Sequence, residues 1–220
     1  MQYTFCEKLM WFALAKPSFR HLAQKHSQWN APAFRRKAKV IFGEMVARTP
    51  DIGGLKENPL RICLSGGMVW LSIYEAAEGA MDEATFADMV STSMDSPLVR
   101  AAFKMKKKTT FTLKAQQFRK ETAERTNPLC RDNPFHWNVE VILGRDADEY
   151  RINYRQCGLC ALGKQEGLLH LVKHMCALDT MSIDWMGGVL HRTKTLASGG
   201  DCCNFYICRK DSKWEREAGA

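Results

Sequence analysis

The chain has 220 residues, of which 45% are hydrophobic and 25% charged, proportions that exclude a disordered or low-complexity protein. Its 32 Lys and Arg against 24 Asp and Glu give a formal net charge of +8, a balance compatible with an anionic partner. Eight basic residues between Lys104 and Arg125 stand against Glu121 and Glu124, so one stretch holds most of the excess, and it lacks the interleaved aromatics of a nucleic-acid surface.

In chain order, Phe5, Leu9, Phe12 and Ala13 fall at helical spacing. Leu9–Ala15 before Lys16-Pro17 is too short and poorly flanked for a signal segment and reads as part of that helix. Phe34, Ala38, Ile41 and Met45 define a second helix that Pro50 stops. A third is predicted from Pro59 to Ala80 with Leu64, Met68 and Leu71 on one face, although Gly66-Gly67 inside it weakens helix formation. Asp82–Val90 reads as a short helix, and Ser96-Pro97 opens another that runs into the lysines. Phe111, Ala115, Phe118 and Thr122 are read as the apolar stripe of the next.

After Asn127-Pro128 the period changes to two. Phe135, Trp137, Val139, Val141 and Leu143 alternate with polar neighbours, Gly144–Asp148 is turn chemistry, and Tyr150, Ile152 and Tyr154 alternate again, which is a hairpin. A helix is predicted from Cys157 to about Thr180, followed by strands Val189–Leu196 and Cys202–Arg209 around a Ser198–Asp201 turn. The expected class is α+β: a helical N-terminal half packed with a small antiparallel sheet of two hairpins joined by a helix. Residues 1–126 form the helical region and 127–220 the α+β region; one compact domain is equally compatible with this length.

Six of the nine cysteines lie between Cys157 and Cys208. The odd count and the missing signal argue against a disulfide scaffold, so a cytoplasmic protein with reduced thiols is expected. Cys176 and Asp179, three apart, share a helix face near Leu168, Val172 and Met175. A thiol and a carboxylate facing inward form a candidate site, although a core cysteine and a helix-end aspartate explain them equally. Cys157-Gly158-Leu159-Cys160 has C-x-x-C spacing, but adjacent Cys202-Cys203 supply no second zinc pair and the parallel βαβ surroundings of a thioredoxin are missing. His170 and His174, at i and i+4, read as solvated rather than metal-binding, and no metal or cofactor is expected. On the third strand Arg192 and Lys194 share one side and Thr193 and Thr195 the other; facing a cavity, Arg192 can clamp a carboxylate.

The run Cys157…Leu162-Gly163…Glu166-Gly167…Cys176…Asp179, then Met186-Gly187…Leu190…Arg192-Thr193-Lys194-Thr195-Leu196-Ala197…Gly199-Gly200…Cys203-Asn204-Phe205, resembles the L-2-amino-thiazoline-4-carboxylic acid hydrolase family over roughly the last 80 residues. The N-terminal helices match it only in general character. Asn204 stands where the family often has Asp, and Thr180 follows Asp179 where an aromatic is common; both departures bear on the substrate. The resemblance implies a hydrolase that opens a small cyclic amidine-type ring to a carbamoyl-cysteine product. It points to Cys176 or Cys203 as nucleophile, Asp179 as proton carrier or orienter, and Arg192, Thr193 and Cys157 as substrate contacts. The expected partner is a small carboxylate-bearing substrate, with neither nucleic acid nor membrane, and a homo-oligomer is left open. The alternative is a ligand-sensing module similar to 4-vinyl reductase domains, which binds without turnover.

Overall fold

The computed structural model describes residues 1–218. Its first half is helical: α1 Phe5–Lys25, α2 Pro32–Arg48, α3 Arg61–Ala76, α4 Glu83–Met94, α5 Pro97–Met105, the single turn α6 Lys107–Thr110 and α7 Leu113–Thr126. Strands β1 Asn138–Leu143 and β2 Glu149–Gln156 form the first hairpin. Helices α8 Gly158–Gln165, α9 Leu169–Cys176 and α10 Leu178–Trp185 lead to β3 Gly188–His191 and β4 Cys203–Arg209, and α11 Lys213–Ala218 follows. The four strands make one antiparallel sheet in the order β1-β2-β4-β3. The class is α+β, as expected.

Helix α3 is buried around most of its circumference, from Arg61 to Ala76, as befits the central helix of a core. Its two glycines mark close approaches. A Cβ on Gly66 would meet Met10 and Leu14 of α1, and one on Gly67 would overlap Leu159 of α8 and touch Met175 of α9. The helix keeps Gly66-Gly67 because two neighbouring elements need that space, which outweighs the roughly 1 kcal/mol propensity cost of each glycine.

The face that α1 buries differs from the expected one. Phe5 and Phe12 are exposed, and Leu14, Ala15, Phe19 and Leu22 point inward together with Cys6, Glu7 and Ser18. An ion pair selects that orientation: Arg61 at the start of α3 donates to Glu7 at 3.0 Å, and Ser65 one turn later donates to the same oxygen at 2.8 Å. Burying this pair on the α1–α3 seam turns the Phe5–Leu9–Phe12 stripe outward. In α7 Phe118 is likewise exposed, and Gln116 takes the inward place, bridging the β1–β2 turn through Asp146, Glu149 and Gly144.

On the sheet, Tyr150 pairs with Ile207, Ile152 with Phe205 and Tyr154 with Cys203 across β2 and β4. All six belong to the hydrophobic core or pack against it, and that core runs continuously from Leu14 to Ile207. The predicted 157–180 helix is instead three short helices: Gly167, at φ +71°, ends the first stretch, and Ala177 separates α9 from α10. The predicted third strand is cut short. β3 stops at His191, and residues 192–202 form a connection with a 3-10 turn over Leu196–Ser198, so Arg192–Thr195 do not alternate across a strand.

Candidate active site

The helix breaks and the short β3 gather the chemistry at the inner face of the sheet. Arg192, just past β3, donates to the Asp179 carboxylate at 2.6 Å and to the Cys176 carbonyl at 3.1 Å, and its guanidinium lies 5.1 Å from the Phe205 ring centre. Cys176 closes α9 and Asp179 opens α10, so one arginine holds both helix ends. Phe205 packs edge-on against Tyr154 at 5.1 Å. Tyr154 pairs across strands with Cys203, whose sulfur accepts the Leu196 N–H at 3.2 Å.

These groups line a recess rather than a dry core. The Asp179 side chain keeps 39% of its surface accessible, yet burial pushes its carboxyl up to about 6, against the opposing pull of Arg192. Cys63 on α3 is accessible as well, and burial, with Asp179 and Cys157 nearby, pushes its thiol up to about 12. Accessible surface combined with strong desolvation places these groups where water reaches them between protein walls. The same surroundings raise Tyr154, first by burial and then by Asp179, Cys63 and Cys157.

The five cysteines nearest the recess are not equivalent. Cys157 is the N-cap of α8, with extended backbone at φ −134° and ψ 119°. It is the one thiol among them shifted downward, with the neighbouring Cys160 thiol as the main cause and burial opposing. Its side chain makes no capping hydrogen bond to the first turn, so what the helix start adds is the positive end of its dipole, which favours thiolate. Cys160 is raised by serving that anion and by burial. Burial together with Asp179, Cys157 and Cys203 pushes Cys176 up to about 12, and burial raises Cys203 despite the Leu196 N–H.

Of the residues singled out from sequence, Cys157, Cys176, Asp179, Arg192 and Cys203 therefore come together. Thr193 does not: it is exposed, its N–H donates to Asn204 at 3.2 Å, and its hydroxyl accepts from Asn204 at 2.8 Å. Asn204 also accepts the Lys194 N–H at 2.9 Å. Its place is outside the recess, clamping the connection that carries Arg192, and Thr180 is likewise exposed, so neither departure from the family pattern touches the site. His174 binds Glu83 at 2.8 Å and His170 is exposed. Among the described residues no group of three or more His, Cys, Asp or Glu side chains is arranged to hold a metal ion.

Sequence reasoning missed Cys63 and Tyr154. The signal was present for both: Cys63 lies one turn before Gly67, on the α3 face that meets α8, and Tyr154 shares the inward parity of Tyr150 and Ile152. An open groove of about 450 Å³ between α1 and α2 is lined by aromatic and basic side chains such as Trp11, Phe19, Arg20 and Lys39. No thiol or carboxyl borders it, so the chemistry belongs to the recess.

A sequence profile described as L-2-amino-thiazoline-4-carboxylic acid hydrolase matches residues 64–207. The chain belongs to that family. The matched span extends well N-terminal of the roughly 80 residues that carry the resemblance in sequence, running from the second turn of α3 through β4 and containing every recess residue named above except Cys63, which precedes it by one position. No curated protein and no solved structure matches the chain. Membership supports a hydrolase-type function.

Proposed function

We infer that the protein hydrolyses a small cyclic amidine of the L-2-amino-thiazoline-4-carboxylate type, with Cys157 as the nucleophile. The observation that carries this reading is the position of Cys157, a free and partly accessible thiol at the N-cap of α8, and it is supported by the downward shift of that thiol beside Cys160 while burial raises Cys63, Cys176 and Cys203. The attacking species is the thiolate, so the thiol held most readily in that form is the one poised to react. This moves the nucleophile from Cys176 or Cys203 to Cys157.

The chemistry balances with the residues present. The Cys157 thiolate adds to the ring carbon that bears nitrogen, sulfur and the amino group. The ring carbon–sulfur bond then breaks, and Asp179, held protonated up to about pH 6 by burial, supplies a proton to the departing sulfur. A water molecule adds to the same carbon of the isothiourea on Cys157, Asp179 takes its proton, and expulsion of the Cys157 thiolate releases a carbamoyl-cysteine product. Arg192 orients Asp179 through its short hydrogen bond and supplies positive charge for the substrate carboxylate. Cys176 and Cys203 contribute shape, and Cys203 also holds the Leu196 N–H.

The test is product formation from L-2-amino-thiazoline-4-carboxylate by the native chain and by Cys157→Ala, Cys176→Ala, Cys203→Ala and Asp179→Asn, with folding checked by circular dichroism. Loss on Cys157→Ala and Asp179→Asn and retention in the other two are expected. Full activity of Cys157→Ala refutes the assignment. A ligand-dependent rise in melting temperature with no product favours a sensing module instead.

A further inference from the structure

Cys160 forms no bond to the ring in that chemistry, yet it is a second free thiol three residues from Cys157. Cys157 is the N-cap of α8 and Cys160 is the third residue of that helix. The Cys157 side chain makes no capping hydrogen bond of its own, and α-carbons three residues apart across a helical turn lie about 5–6 Å from each other, within the span a disulfide bridges. The first turn is closed, with the Ala161 N–H on the Cys157 carbonyl at 3.1 Å, and both cysteines are free and partly accessible from the recess. Gly158 between them has no room for a Cβ beneath Trp137, which fixes the turn. We propose that Cys157 and Cys160 give the protein a second activity, as a dithiol that reduces small disulfides.

The reaction conserves atoms and electrons. The Cys157 thiolate attacks one sulfur of the small disulfide, forming a mixed disulfide and releasing a thiolate. Cys160 then loses its proton to that thiolate and attacks the Cys157 sulfur, closing a Cys157–Cys160 disulfide and releasing the second small thiolate. Two protein thiols are oxidised and one small disulfide is reduced. Helix-terminal stabilisation of the Cys157 thiolate speeds the first step and makes the protein disulfide easily reduced again.

The inference shares Cys157 with the hydrolase reading but does not depend on it, and its test contains no thiazoline. Reduced protein is mixed with excess L-cystine at neutral pH, thiols are counted with time, and the product is peptide-mapped. The native chain loses two of its nine thiols in the fast phase and yields a linked Cys157–Cys160 peptide. Cys160→Ser stops at a cysteinyl adduct on Cys157, and Cys157→Ser loses the fast phase. A stable adduct on Cys157 of the native chain, a Cys157 link to Cys63, Cys176 or Cys203, or a Cys157→Ser variant that reacts at the native rate would each overturn the proposal.

Discussion

Gly158→Ala probes how the site is built, because the added methyl has nowhere to go. Its Cβ would overlap the Phe135 carbonyl oxygen and lie 2.7 Å from two ring carbons of Trp137. Carbon atoms pack at about 3.5–4.0 Å, so the first turn of α8 must withdraw by about 1 Å. Overpacking of this kind costs about 1–3 kcal/mol, and in a chain of this size each kcal/mol lowers the melting temperature by about 2–4 °C. A fall of roughly 2–12 °C is therefore expected in a calorimetric scan. The same withdrawal disturbs the setting of Cys157 at the start of α8 and its approach to Cys160, so its thiol titrates higher and its alkylation by iodoacetamide near neutral pH slows. Gly43 in α2 is the control: a Cβ there meets nothing within 4 Å, and Gly43→Ala should stabilise by about 0.5–1 kcal/mol. A Gly158→Ala variant with native melting temperature and native Cys157 reactivity would refute the argument that this turn is held against Trp137.

Glu7→Gln leaves the buried Arg61 with Asp51, at 3.3 Å, as its remaining carboxylate partner, at a cost of up to about 3–5 kcal/mol, measurable as a reduced urea midpoint. The hydrogen bonds from Arg61, Thr4 and Ser65 outweigh burial and hold the Glu7 carboxyl at about 2, below its ordinary 4.5. Its contribution is therefore present above about pH 4.5 and lost as pH falls toward 2, and an acid titration of the native chain should show that loss while Glu7→Gln shows less of it. Asp179 titrates the other way. With its carboxyl raised to about 6, kcat/KM for ring opening should fall as pH rises through that value. Arg192→Gln, which removes the cation that lowers it, should move this limb upward by about one to three units. Cys176→Ala and Cys203→Ala should keep kcat/KM within a few fold of native while lowering stability, since each thiol fills space; a loss as large as that of Cys157→Ala at either position contradicts the ranking of the thiols.

The class, the hairpin between Val139 and Tyr154 and the placement of most helices were legible because hydrophobic period reports local structure directly. The errors arose where a partner decided the outcome. Phe5, Leu9 and Phe12 have a helical period, but which stripe of α1 goes inward depends on Arg61 in another helix. Gly66-Gly67 looks like a weakness until α1 and α8 are seen to occupy the space. Arg192–Thr195 have strand-like alternation, yet Asn204 captures two of their backbone N–H groups and pulls the segment out of the ladder. The nearness of Cys176 to Asp179 was legible from their spacing, but Arg192 reaches them by another route than the one read, since the two lie on separate helices and Arg192 lies past the end of β3. The special standing of Cys157 was not legible, because it comes from its place at the start of α8 beside Cys160, which is not visible until the helix boundary is known.

The most direct measurement is acid quench during turnover of L-2-amino-thiazoline-4-carboxylate, followed by digestion and mass spectrometry of every cysteine peptide. The account predicts a transient substrate-derived adduct on the peptide carrying Cys157, absent from Cys157→Ala, which forms no product. An adduct on Cys176 or Cys203, or undiminished turnover by Cys157→Ala, would contradict it.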